Sequence, residues 1–294
     1  MARPHPALVE CKYCGGKATI KYGRSQGNQL YRCKDCAHRF VDNGKFVKMR
    51  NACAIIATTL ELYFEGLSVW KVRKQVAKIF GVRISHMTVW RWVMKYSSLV
   101  AELSKTLEPS LSGIWHVDET TVNVGGNLKW FWDVIDERTR FIVATHLSGD
   151  RSVDQVKVLF KRSLEAAKAR PQRIMTDGLR SYEEGFRKVF YSRRKENRVE
   201  YIRSPGIRGR SHNNLIERFH GTIKDRTKPM RGFKADYSCS TILDGFVAHY
   251  NFVRGHLGLD GMTPAQAANL DLPLDGGWAD LVRVATWNRT AKEI

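Results

Sequence analysis

Two pairs of cysteines constrain the N-terminus of this chain more than any other feature. They read "CKYC" and "CKDC", placing Cys11, Cys14, Cys33 and Cys36 in a double C-x2-C pattern. Each pair suits a tight turn that aims two thiolates at one ion, and two such turns complete a tetrahedral sulfur shell for zinc. Residues 17–33 read as two short strands around a glycine-containing turn. A module of about 40 residues has too little core to fold without a staple. Residues 1–45 are therefore expected to form a zinc ribbon with these four ligands. Cys53 and Cys239 fall outside the pattern and read as buried apolar fillers.

Charge narrows the partner. Lys and Arg number 49 against 29 Asp and Glu, a formal net charge of +20. Such an excess fits a polyanion, most simply nucleic acid, because basic side chains displace condensed counterions from phosphates. The ribbon shares it through Lys12, Lys17, Lys21, Arg24, Arg32, Lys34 and Arg39. No run reaches the roughly 18 apolar residues of a membrane span, so no membrane partner is expected. The opening "MARPHPALVECKYC" has no apolar leader. The expected location is the cytoplasm, with the nucleoid, where thiols stay reduced.

Residues 46–97 carry helical periodicity. "NACAIIATTLELYFEG" stops at Gly66, and Val69, Val72, Val76 and Phe80 recur at helical spacing before Gly81. Ser85 can cap a following helix whose buried side is Val89, Trp92 and Val93. This is the pattern of a helix-turn-helix DNA-binding domain, with an ordinary helical hairpin as the alternative. Its second helix would present His86, Thr88, Arg91 and Lys95 to a major groove. The polar segment 98–112, containing Pro109, reads as a linker.

From residue 113 the period changes. "GIWHVDETTVNVGG", "LKWFWDVIDE" and "RTRFIVATHLSG" are three strand-like runs separated by turn residues. A helix over "SVDQVKVLFKRSLEAAKAR", starting at a Ser152 cap, follows them. Then come strand "PQRIMTDG", helix "LRSYEEGFRKVF", strand "RVEYIRSP" and helix "HNNLIERFHGTIKDRTK". This order predicts a mixed α/β sheet with covering helices over 113–257, followed by a tail, 258–294.

Three acids stand out there. Asp118 lies within the first strand, with Glu119 alternating to the opposite face, which makes Glu119 the weaker candidate. Asp177 ends the fourth strand, where capping the next helix is its simplest alternative role. Glu217 lies beside the stripe Ile216, Phe219, Ile223, on a row with Asn213, His220 and Lys224. If the strands are neighbours, the three acids can meet, and divalent cations such as Mg2+ would relieve their repulsion. Two ions about 4 Å apart can clamp an in-line phosphoryl displacement. His212 and His220 fit either phosphate contact or a solvated helix face.

The motifs "WHVDET", "KWFWDVIDERTR", "MTDGLRSY" and "HNNLIERFHGTIKDRTKPMRGF" resemble those of the DDE transposases of bacterial and archaeal insertion sequences, within the retroviral integrase superfamily. The resemblance extends to the downstream "HYNFVRGHLGLDGMTPAQAA" and covers nearly the whole chain. It implies a multidomain protein: zinc ribbon, all-α helix-turn-helix, then a ribonuclease-H-like α/β catalytic domain. It makes Asp118, Asp177 and Glu217 the catalytic triad, holding Mg2+ or Mn2+ as a pair of ions beside the ribbon's Zn2+. Position next to the triad favours DNA contact for Lys224, Arg226, Lys228 and Arg231.

The implied partners are double-stranded DNA, as terminal inverted repeats and as target, and at least one further copy of the chain. Two departures are visible: the Asp177–Glu217 spacing is long, with the excess in the basic loop 192–198, and Gly255 replaces a common proline. The alternative functions are a DNA-binding regulator that has lost catalysis, and a nuclease acting on RNA–DNA hybrids.

Overall fold

The computed structural model describes residues 9–203, 214–228 and 230–293. The chain divides into two compact units, one of residues up to Ser104 together with those from Leu272 onward, the other spanning Lys105–Asp271.

The first unit opens with β1 (Thr19–Ser25), β2 (Asn28–Cys33) and β3 (Arg39–Val41), an antiparallel sheet in that order. The sequence predicts two strands here; the third forms because Arg39–Val41 pairs with Leu30–Arg32. Cys11, Cys33, Cys36 and Phe40 make the small core. Helices α1 (Cys53–Phe64), α2 (Val69–Phe80) and α3 (His86–Ser104) follow. Ser68 accepts the Lys71 N–H at the start of α2, and Gly81 ends it at φ 66°, the left-handed conformation that costs glycine least. Ser85 accepts the Thr88 N–H at 3.0 Å and so starts α3. Residues 98–104, expected in the linker, are the second half of α3, because Leu99, Val100 and Leu103 continue its buried stripe. The C-terminal helix, Trp278–Glu293, packs on α1 and α3. The expected tail thus divides, with residues from 272 joining this first unit.

The second unit holds β4 (Ile114–Val124), β5 (Asn127–Asp136), β6 (Ile142–Ser148), β7 (Arg173–Thr176) and β8 (Glu200–Arg203). Among the described residues they form one mixed sheet in the order β6-β5-β4-β7-β8. The first three strands are an antiparallel meander, while β4–β7 and β7–β8 are parallel. Parallel strands need crossover connections. α4 (Val153–Ala167) leads from β6 to β7, and α5 (Arg180–Phe190) lies between β7 and β8. Val156, Leu159, Phe160, Tyr182 and Phe190 from these helices close a core with Trp115, Val117, Trp132, Val134 and Ile174 of the sheet. Ser152 stands at the N-cap of α4, though its side chain makes no capping bond.

Helix α6 (Asn214–Thr227) packs against β4 and buries the predicted stripe Ile216, Phe219 and Ile223. The expected start of α6 at His212 and the end of the β8 run at Pro205 lie outside the described residues. α7 (Asp236–Phe252) contacts β6, where the Asn251 amide bonds both the N–H and the C=O of Ile142, at 2.9 and 3.0 Å. After α7 comes a tight turn in which Gly255 is a steric requirement: a Cβ there would lie 2.5 Å from the Gly261 carbonyl oxygen. The short α8 (Pro264–Ala267) completes the unit.

Candidate active site

Strand register creates the site. Parallel pairing of β4 with β7 runs through Val117 opposite Thr176. The next residue on each strand is an acid, so Asp118 and Asp177 emerge side by side where β7 ends. Carboxylate oxygens of Asp118, Glu119 and Asp177 all lie within 4.8 Å of one another. Hard oxygen donors at this spacing suit a divalent cation.

Each acid has a local anchor. Asp118 Oδ1 accepts the Glu119 N–H at 2.9 Å, and Asp177 Oδ1 accepts the Leu179 N–H at 2.9 Å. Asp177 thus turns the chain into α5 with one oxygen while taking part in the carboxylate cluster. Glu119, expected to face away, accepts the Tyr182 hydroxyl at 2.5 Å and pairs with Arg151 at 3.4 Å. It still offers one carboxylate oxygen to the group. Burial pushes the Asp118 carboxyl up to about 7; nearby Asp133 and Glu119 add to the rise, while His220 opposes it. Burial raises Glu119 as well.

Glu217 stands apart. It lies on α6, exposed to solvent and outside this cluster. The α6 residue that reaches Asp118 is His220, one turn later: its Nδ1 lies 3.7 Å from Asp118 Oδ2. Its Nε2 bonds Asp133 Oδ1 at 2.7 Å. Sequence pattern alone does not mark Asp133 as a site residue. An acid inside the apolar run "WFWDVI" was the available signal.

The basic residues divide. Arg91, Lys95, Lys224, Lys228 and Arg231 are exposed, while His86 and Thr88 are half-buried, His86 stacking on Trp70 with ring centroids 4.4 Å apart. Arg226 does not fit a DNA contact: it is 5% exposed, with its guanidinium over the Phe246 ring of α7. It lies on the side of α6 that also buries Ile223 and Thr227, which turns it inward.

In the first unit the four ribbon cysteines converge within 4.8 Å. Cys11–Cys36 and Cys14–Cys33 sulfurs are each 3.6 Å apart. The edge of a tetrahedron built on Zn–S bonds of about 2.3 Å is about 3.8 Å, so the sulfur positions fit that ion. Burial pushes the Cys11 and Cys14 thiols up to about 11, so a cation is needed to hold them as thiolates.

Residues 112–256 match the family model DDE_Tnp_IS240, a DDE domain. The transposase for the insertion sequence-like element IS431mec of Staphylococcus aureus is 22% identical over 220 residues, 74% of this chain and 94% of that protein. An uncharacterized protein in transposable element ISH50 of Halobacterium salinarum is 26% identical over 196 residues, 60% of this chain and 64% of that protein. Among solved structures, the HTLV-2 integrase catalytic core domain in complex with magnesium is 15% identical, with 55% of this chain and 98% of that chain covered and a TM-score of 0.38. The paired aspartates at the β4–β7 edge lie inside the matched segment, so residues 112–256 are a DDE domain of the kind that family model describes, and the chain is similar to transposases of insertion sequences.

Proposed function

We propose that this protein moves an insertion sequence by cutting DNA at the element ends and joining them to target DNA. One observation carries the reading: Asp118 and Asp177 stand together at the end of a parallel strand pair, with oxygens within 4.8 Å. Asp118, Asp177 and Glu217 form the catalytic set, and Glu119 is held beside it by Tyr182 and Arg151. A pair of Mg2+ or Mn2+ ions bound there would offset the charge that builds on the phosphodiester during displacement. Water attacks at the element end and frees a 3′-hydroxyl, which then attacks target DNA directly, with no covalent protein intermediate. Glu217 completes the set when its side chain swings inward from α6, which DNA bound along Lys224, Lys228 and Arg231 would favour by neutralising that basic segment.

The zinc ribbon and the α2–α3 pair, read as a helix-turn-helix, recognise the terminal inverted repeats. Arg91 and Lys95 lie on the exposed side of α3, with His86 and Thr88 at its start. Two ends must be held together for joining, so two or more copies act at once.

The test uses labelled duplex ends with full-length protein. Wild type cuts and joins them with Mg2+; Asp118→Asn binds them and does neither. Joining by Asp118→Asn would remove that residue from the set. The competing reading, a regulator without catalysis, draws on the exposed position of Glu217. Wild type that binds the repeats and never joins them would establish it.

A further inference from the structure

A carboxylate sits inside the second unit that the catalytic proposal does not use. Asp133 of β5 is 0% exposed. It is the direct cross-strand partner of Asp118, so both side chains project from the same face of the sheet. Among the described residues its Oδ1 bonds His220 Nε2 at 2.7 Å, and its Oδ2 has no partner. Burying a charge this deeply is costly unless the group is paired, and an apolar side chain would suit the site better for packing alone.

The partner explains the position. His220 belongs to α6 and lies one turn beyond Glu217, with its side chain 6% exposed. One ring nitrogen is tied to Asp133, and the ring is thereby set so that the other nitrogen faces Asp118 at 3.7 Å. A metal ligand in a protein is commonly oriented by such a hydrogen-bonded neighbour. Helix residues three apart are neighbours on the surface, so whatever fixes His220 also fixes the height and azimuth of α6 at Glu217.

We propose that Asp133 and His220 are positioning residues: Asp133 holds the imidazole, and the imidazole holds Asp118 in the geometry that takes divalent ions and anchors against the sheet the helix that carries Glu217. This rests on the catalytic reading above and adds two side chains to it. The pair spans three elements, β4, β5 and α6, which no single strand or helix contact does.

The experiment reads ion binding apart from turnover. Full-length wild type, Asp133→Leu, Asp133→Asn, His220→Ala and His220→Gln are titrated with Mn2+, following the free-ion paramagnetic resonance signal. The same proteins are then assayed for DNA joining against Mg2+ and against DNA concentration. Asp133→Leu and His220→Ala should weaken Mn2+ binding about tenfold or more, raise the Mg2+ needed for half-maximal joining by a similar factor and lower kcat. KM for DNA ends should stay within about twofold, since neither residue is on the DNA surface. Asn and Gln keep a hydrogen-bonding group and should recover part of the loss.

If Leu or Ala fails to fold by circular dichroism, the Asn and Gln variants carry the decision. Folded variants with wild-type Mn2+ affinity and wild-type kcat overturn the positioning role and leave the catalytic reading intact. Wild type that neither binds Mn2+ nor joins DNA overturns both.

Discussion

Asp118 carries a conflict that can be titrated. Its carboxyl is pushed by burial from 3.8 to about 7, a difference on the order of 4 kcal/mol at about 1.4 kcal/mol per unit. Between those values the folded protein keeps a proton that the unfolded chain has released. Stability in metal-free buffer therefore declines as pH rises through this window. His220 contributes in the same direction: burial would lower it, but Asp133 outweighs burial and holds it above its ordinary value. A divalent cation competes with the proton for the same oxygens, so its stabilising effect grows as pH rises. Thermal melts at about pH 5 and about pH 8, with and without Mg2+, should show a larger Mg2+-induced rise at the higher pH. Asp118→Asn should flatten that difference. An equal Mg2+ response at both pH values in wild type would take Asp118 out of the ion site.

At the scale of elements, the β1–β3 sheet gathers two arginines and a tyrosine. Arg32 and Arg39 are cross-strand partners on β2 and β3, with Ile20 beside them on β1. Tyr22, 40% exposed, lies under the Arg39 guanidinium at 4.3 Å and accepts an Arg39 hydrogen bond at 3.0 Å. Arg32 approaches the same ring at 5.9 Å. Among the described residues neither arginine has a carboxylate partner, so both charges remain available while the ring orders them. Arg39→Ala should lower the slope of log affinity against log salt for duplex element ends by about one, and Tyr22→Ala should weaken binding less. An unchanged slope would mean that this face does not touch phosphate.

The elements also show what the sequence could and could not reveal. Strands β4 to β8 and helices α4 to α6 were legible because period 2 and period 3.6 alternate cleanly between glycine and proline breaks. The Asp118–Asp177 neighbourhood was legible only conditionally, since strand order is a tertiary fact. Helix α7 was not legible: it buries His249 and Asn251 alongside Ile242, Leu243 and Phe246, which erases the polar stripe that marks a surface helix. His220 failed for a related reason. It lies on the row with Glu217 and Lys224 yet is buried, because Asp133 supplies a partner that local sequence cannot name.

For the whole molecule, chain order and spatial order disagree. The C-terminal helix does not belong to the second unit that precedes it in the chain; it belongs with β1–β3 and α1–α3. Trp278 is fully buried there and stacks on Phe64, with ring centroids 4.9 Å apart and planes at 15°. Leu281, Val282 and Ala285 continue its buried face. At the other end of the helix Trp287 approaches Gly15 so closely that a Cβ on the glycine would sit 2.9 Å from the indole. The apolar residues of this helix make only a weak helical stripe, so the sequence pattern shows a tail over 258–294 and not this closure.

The consequence is that recognition and catalysis should fail separately. Trp278→Ala should destabilise the first unit by about 3–5 kcal/mol, and a chain ending after Asp271 should lose element-end binding. Both should retain the Mg2+-dependent melting transition of residues 105–271, followed by calorimetry on the full-length variant and the truncated chain. A truncated protein that binds repeat ends with wild-type affinity would show that the closing helix is dispensable for recognition, and the ribbon and α1–α3 would then have to hold their fold without it.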